Sequence, residues 1–317
     1  MALAAQKSFR FGLAKEAARL TAEAAPTKWY PLIPDPEIKY GPQLLNDDGL
    51  RGVFADYEPI AGRSPGTGKF KIVADAQVLG ELMRSMLGAP TSAQQGGTAA
   101  YQHSYTLNTG VQPNTYTFFM DFGGSVGVKK YNGCVVKSMN FTGPVDGLIM
   151  VDVEFLFITE VAGSIGSPSF PTQRYFNFKN VTYKIAGSTN TDVMGWELSI
   201  DNQAHHLMTL AQAYDAQDIV VTDSIVVKGS MAINFQNETE RNKFLANTAV
   251  AIQMLIEGAV IASTFKWTLD LPVTAAHYQE YPFGWENKLL ASKVNFQGFH
   301  NGTSIILPKL INVDTAY

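Results

Sequence analysis

Apolar and polar residues alternate with a period of two through most of this chain. In residues 149–157 the apolar set Ile149, Val151, Val153, Phe155 and Phe157 is interleaved with Asp152 and Glu154. Residues 264–271 set Phe265, Trp267, Leu269 and Leu271 against Thr264, Lys266, Thr268 and Asp270, while Trp196, Leu198 and Ile200 oppose Glu197, Ser199 and Asp201. Successive side chains of a strand point to opposite faces, so each segment predicts a strand with one face on a core and the other toward water or a partner. The connections are mostly too short for crossover helices, which makes the pairing antiparallel.

Helical spacing is rare. Val78, Leu79, Leu82, Met83 and Met86 form one apolar stripe that Gly88 and Pro90 stop. A shorter helix near residues 238–246 has Phe244 and Leu245 for its contacts. Strands and helices then read as one unit written twice. The first copy places strands near 52–57 and 69–73, a helix near 74–87, and strands near 103–108, 115–122, 134–141 and 148–158. The second places strands near 196–201 and 224–235, a helix near 238–246, and strands near 251–257, 264–271, 293–299 and 304–311. The expected fold is mainly β: two tandem β-sandwich or barrel domains, each with one flanking α-helix.

Around these units, Phe9, Leu13, Ala17 and Leu20 recur at helical spacing and predict a helical arm over residues 1–25. Pro26, Pro31, Pro34, Pro36 and Pro42 follow as an extended connector. The resulting division is an arm and connector (1–45), a first domain (46–162), a Gly/Ser/Pro-rich linker (163–175) and a second domain (176–317). Two loops stand out, 58–68 and its longer, more apolar counterpart 202–223. The latter reads equally as a short helix on its own domain or as a loop that docks on another subunit.

Composition supports folded cores: 46% of the 317 residues are hydrophobic and only 16% charged. So few charges suit a surface buried between subunits. With 24 basic and 28 acidic residues, tight phosphate binding is not indicated. The single cysteine, Cys134, excludes an internal disulfide and argues against a thiolate metal site. No apolar run approaches a membrane span, and Lys7 and Arg10 sit where a signal peptide would be apolar.

No constellation predicts catalysis, a metal or a cofactor. Gly123, Ser125 and Gly127 match a nucleophile elbow, but no helix start follows, so a hairpin tip is expected. The glycines of 62–69 miss the phosphate-loop spacing, and Phe70 stands where Ser or Thr is required. His103, His205, His206, His277 and His300 lack metal-ligand spacing. Tyr278, Tyr281, Phe283 and Trp285 cluster in an expected loop. They leave one alternative of another class, a carbohydrate-binding β-sandwich adhesin.

Several stretches carry a family likeness. They are Phe11, Gly12, Leu13, Ala14, Lys15 and Glu16 near the start, the strand Tyr131, Asn132, Gly133, Cys134, Val135 and Val136, and the helix end Met86, Leu87 and Gly88 ahead of Tyr101 and His103. The chain resembles the tail tube proteins of long-tailed bacteriophages. The resemblance implies tail-tube-like sandwiches whose subunits form rings, with inner strands joined into one barrel and rings stacked into a virion tube. Double-stranded DNA then passes through without specific binding. Two fused units imply three chains in a pseudo-sixfold ring, made in the host bacterial cytoplasm without a membrane. Tape measure and terminator proteins are the implied partners. A tail terminator or distal tail ring protein is the near alternative.

Expected assembly contacts are Phe9, Arg10, Leu13, Arg63, Leu207, Met208, Leu210 and Tyr214, on the arm and the two loops. Expected channel-lining residues are Asp152, Glu154, Lys266 and Asp270, from the polar faces of long strands.

Overall fold

A computed structural model describes residues 9–46, 57–107, 112–172, 174–210, 213–286 and 288–317. Among them the first half contributes β1 (Arg10–Lys15), β2 (Lys28–Tyr30), β3 (Glu37–Lys39), β4 (Leu44–Leu45), β5 (Ile60–Ala61), β6 (Gly66–Val73) and α1 (Leu79–Leu87). There follow β7 (Thr91–Gln94), β8 (Tyr101–Ser104), β9 (Tyr116–Asp121), β10 (Val128–Gly143), β11 (Met150–Phe157) and β12 (Thr159–Ala162). The second half contributes β13 (Val181–Ile185), β14 (Ser188–Thr189), β15 (Val193–Asp201), β16 (Ala204–Leu207), β17 (Asp218–Val221), β18 (Val226–Asn234) and α2 (Thr239–Leu245). It ends with β19 (Val250–Ala262), β20 (Phe265–Glu280), β21 (Phe283–Glu286), β22 (Leu289–Gly298) and β23 (Lys309–Asn312).

The ladders recur in order. The first half runs β2–β1–β9–β10–β11–β6–β3. The second runs β14–β13–β19–β20–β22–β18–β15. A two-stranded hairpin stands at the same place in each, β4–β5 and β16–β17. All pairings are antiparallel, as the short connections require.

One long bent strand carries each half from one layer to the other. The start of β10 pairs with β9 and β12, and its end pairs with β11 and β15. The start of β20 pairs with β19 and β23, and its end with β22. Register shifts mark both, between Val136 and Ser138 and between Tyr278 and Glu280; such bulges bend a strand. The layers enclose a core drawn from both halves, including Phe70, Phe118, Phe155, Leu198, Met231 and Phe296. Each buried side chain of this size stabilises the fold by about 1.5–3 kcal/mol. Helix α1 buries Leu79, Leu82, Met83 and Met86, and the Ser85 hydroxyl accepts from the Val136 amide at 3.0 Å. Helix α2 is held to β20 by the Tyr278 hydroxyl, which donates to Glu240 at 2.7 Å.

Four expectations are corrected. The arm is not helical where it is described: residues 10–15 are strand β1, paired on both edges with β2 and β9. Its burial on both faces hides the period of two, because Phe11 and Leu13 enter the main core while Ala14 packs with Trp29, Phe119 and Ile165. Within residues 202–223 the segments 204–207 and 218–221 pair as the hairpin β16–β17, and among the described residues no helix forms there. The segment 58–68 contains β5 and the start of β6. Tyr278, Phe283 and Trp285 lie on strands β20 and β21. The strand expected over 52–57 and the arm's first eight residues fall outside the described residues, Tyr57 apart.

The carboxyl-terminal segment closes over α1. Lys28 meets Asp314 at 3.0 Å and Glu81 at 3.4 Å, and Tyr317 packs edge-on against the buried His103. Beside it, burial first and then the Glu81 charge push the phenols of Tyr30, Tyr105 and Tyr116 well above their usual range. A tyrosine whose folded pKa exceeds its unfolded value of about 10 contributes stability below that pH. The contribution is lost as pH rises from about 10 toward the folded value, at about 1.4 kcal/mol per pH unit and tyrosine. Cooperative unfolding above about pH 10 is therefore expected, with the last part of the tyrosinate absorbance, that of the buried phenols, rising together with the loss of far-UV dichroism. Ionisation of all 13 tyrosines while the dichroism is unchanged would contradict this.

Candidate functional site

One polar sheet face runs across both halves. It forms because β6, β11, the end of β10, β15, β18 and β22 each bury alternate residues, leaving the intervening ones on the opposite face. Register aligns these in rows. The central row reads Lys71, Asp152, Asn140, Ser199, Lys228, Gln297 and His277 from β6 to β20. One flanking row reads Glu37, Lys69, Glu154, Ser138 and Asp201; the other reads Thr142, Glu197, Ser230, Asn295 and Glu280.

Carboxylates outnumber lysines in these rows, and both lysines of β6 are paired. Lys71 pairs with Asp152 at 3.1 Å, and Glu154 lies 3.4 Å from Lys69 and 3.6 Å from Lys137. These pairs are partly exposed, and each contributes about 0–1 kcal/mol. Two shallow depressions of about 520 Å³ and 410 Å³ lie on the face, and Asn140 lines both. This broad polar surface lacks the convergent polar groups of a ligand pocket.

The expected lining residues separate. Asp152 and Glu154 are on this face, two residues apart on β11. Lys266 and Asp270 are not brought to it: they occupy the start of β20, in the layer that pairs with β19 and β23. Lys266 meets Glu257 at 3.4 Å. Asp270 is buried and accepts from Gln253 at 2.7 Å; loss of water there raises its pKa. Sequence reading missed Asn140, Ser199 and Lys228. The available signal was alternation itself, with Asn140 between Met139 and Phe141 and Ser199 between Leu198 and Ile200.

The expected assembly contacts also divide. Leu13 is 1% exposed and belongs to the chain's own core, so it is closed to a neighbour. Phe9 leans edge-on against Phe122 at 5.4 Å, and Arg10 is exposed at the start of β1. The remaining five converge where hairpins β4–β5 and β16–β17 lie side by side. The Arg63 guanidinium donates to the carbonyls of Thr209 and Ala213, and the Ser64 amide donates to Tyr214 at 2.9 Å. The Tyr40 hydroxyl donates to Asp215 at 2.7 Å. Leu207, Met208, Leu210 and Tyr214 are exposed there beside Leu44, Leu45 and Ile60.

Nothing in the rest of the described structure assembles a reaction centre. Ser125 is exposed in the turn between β9 and β10, with a strand following it. Among the described residues no group of three or more His, Cys, Asp or Glu is placed to hold a metal ion. Among the described residues no helix is long and apolar enough to cross a membrane. The Tyr278 ring is buried against α2, so the aromatic cluster is no flat sugar platform.

No curated protein matches the chain. A family model described as phage tail tube protein matches residues 9–287, from β1 to just beyond β21. That span contains the first run of ladders, both hairpins and every strand of the second run except β22. With β-strands dominating and most of the length matched, the chain belongs to the phage tail tube protein family, whose members are structural components of the virion tail and not enzymes.

Proposed function

We propose that copies of this chain close a ring around a bore lined by the polar face, that rings stack into the tail tube, and that double-stranded DNA leaves the capsid through it. The observation that carries this reading is the unbroken polar face, which crosses from one half to the other through the β10–β15 ladder. Sliding DNA requires a wall that does not hold phosphate, and phosphate adhesion needs uncompensated lysine or arginine. Here the lysines of β6 are matched by the carboxylates of β11.

The recurring ladder order supports two tandem units. The first begins at β1, because β1 holds the place in it that β13 holds in the second. Three chains then supply six units to a ring. The paired apolar hairpins are the contact between stacked rings. Tape measure and terminator proteins are the further partners.

Negative-stain microscopy of the purified chain at high concentration tests this. Hollow fibres with a continuous bore are expected. Closed single rings would point instead to a terminator or distal ring role, and persistent monomers would contradict the reading. Leu207→Asp combined with Leu210→Asp is expected to leave rings that no longer stack.

A further inference from the structure

The joint inside this chain specifies the joint between chains. The two runs of ladders align through a glycine that makes room for an aromatic ring beside the bulge of the long strand. Gly66 beneath Phe157 is a second such glycine in the first run, but Phe155, not Phe157, stands opposite the residue before the bulge, as Phe296 does. A Cβ on Gly68 would lie 2.2 Å from Phe155, and one on Gly229 would lie 2.3 Å from Phe296. Gly68 is opposite Phe155 in the β6–β11 ladder, and Gly229 is opposite Phe296 in the β18–β22 ladder.

From these anchors the other strands align. Lys69 corresponds to Ser230, so Glu37 of β3 corresponds to Glu197 of β15 and Lys39 to Ser199. Glu154 corresponds to Asn295, so Ser138 corresponds to Glu280, and the two bulges coincide. Phe141 is opposite Val151 and Phe283 is opposite Ser292, which continues the match from the end of β10 through the end of β20 into β21.

The aligned strands differ in one respect. In the first unit the outer edge of β10 is filled by β15, with Thr142 opposite Glu197 and Phe141 opposite Leu198. In the second unit the corresponding edge, residues 280–286, carries no ladder on its outer side among the described residues. The edge of β3 away from β6, which corresponds to the β10-facing edge of β15, carries none either. Burial records the vacancy: Phe141 and Leu198 are fully buried, whereas Phe283 is 49% exposed and Trp285 78%. Unpaired edges with apolar side chains seek a further strand.

We infer that the β20–β21 edge of one copy pairs antiparallel with the β3 edge of the next, in the register of β10 with β15. Glu280 then stands opposite Gly41 of the neighbouring copy, Phe283 opposite its Ile38, and Gly284 opposite its Glu37. The two edges differ, so the contact is heterologous and repeats from chain to chain, as a ring requires. The internal and external joints become equivalent, and the polar rows continue unbroken from copy to copy. This assignment rests on the tube reading above, and it adds which strands meet and in what register.

Cross-linking tests it on the assembled protein. Residues directly opposite in an antiparallel pair lie about 4.5–5.5 Å apart, within reach of a disulfide, whereas a displacement of two residues takes them out of reach. Gly284 tolerates the change, since a Cβ there meets nothing within 4 Å, and Glu37 is exposed. The native Cys134 is buried and leaves the background low. Glu37→Cys combined with Gly284→Cys, oxidised with diamide after assembly, is expected to give a ladder of covalent multimers. Lys39→Cys combined with Gly284→Cys should give at least about tenfold less. Hollow fibres without the first ladder, or with equal yields from both variants, overturn the edge assignment and leave the tube reading standing. Chains that remain monomeric at high concentration overturn both.

Discussion

Asp152→Lys combined with Glu154→Lys is expected to leave the fold intact and make the assembled tube retain DNA. The lost contacts, Asp152 with Lys71 and Glu154 with Lys69 and Lys137, are partly exposed pairs that contribute about 0–1 kcal/mol each. The electrostatic consequence is far larger. In a three-chain ring the double variant adds about six lysines to a wall whose existing lysines have lost their partners. Neutralising about six phosphates changes duplex affinity roughly a thousandfold between 50 and 200 mM salt. Assembled tubes of the variant should therefore hold short duplexes at low salt and release them steeply as salt rises. The unmodified tube should hold little at either. Salt-independent or absent retention by the variant would mean that these carboxylates do not face the bore.

Phe155→Ala should produce a large loss of stability, about 3–5 kcal/mol. The ring is fully buried and lies 4.9 Å from Phe118, 5.7 Å from Phe70 and 6.0 Å from Phe157. Gly68 provides the space beneath it, so truncation opens a cavity that neighbouring backbone cannot fill. Total stabilities of folded proteins are about 5–15 kcal/mol, so much of the margin would go. Phe296→Ala, in the corresponding slot over Gly229, should fall in the same range. Guanidinium midpoints for both variants measure this. A loss under about 1 kcal/mol at Phe155 would contradict the packing described.

Much of the fold was legible because half-buried strands write their faces into the sequence. Residues 149–157, with Asp152 and Glu154 between core residues, are β11 nearly to the residue. The stripe from Val78 to Met86 marks α1, stopped by Gly88 as expected, although the helix begins at Leu79 and not at residue 74. What alternation does not encode is which layer a face belongs to. Lys266 and Asp270 alternate as clearly as Asp152 and Glu154, yet β20 bends, and its start pairs with β19 and β23 while its end pairs with β22. The helical misreading of residues 9–20 has a related cause: a strand covered on both sides loses its period of two, and Leu13 then fits a spacing of four.

The candidate site was legible in kind and not in extent. Charged pairs on single strands drew attention to β11, while the uncharged positions Asn140 and Ser199 that continue the face lie on strands brought together only by pairing. The apolar character of residues 207–214 was visible. Its juxtaposition with Leu44, Leu45 and Ile60 depends on Arg63 reaching carbonyls nearly 150 positions away in the chain.

Cryo-electron microscopy of tubes assembled from this chain is the most direct test of the central claim. The expected density places the row Asp152, Asn140, Ser199 and Lys228 toward the tube axis, at the wall of an open bore. A tube in which that row faces the outer surface, or is covered by a neighbouring ring, would contradict the account.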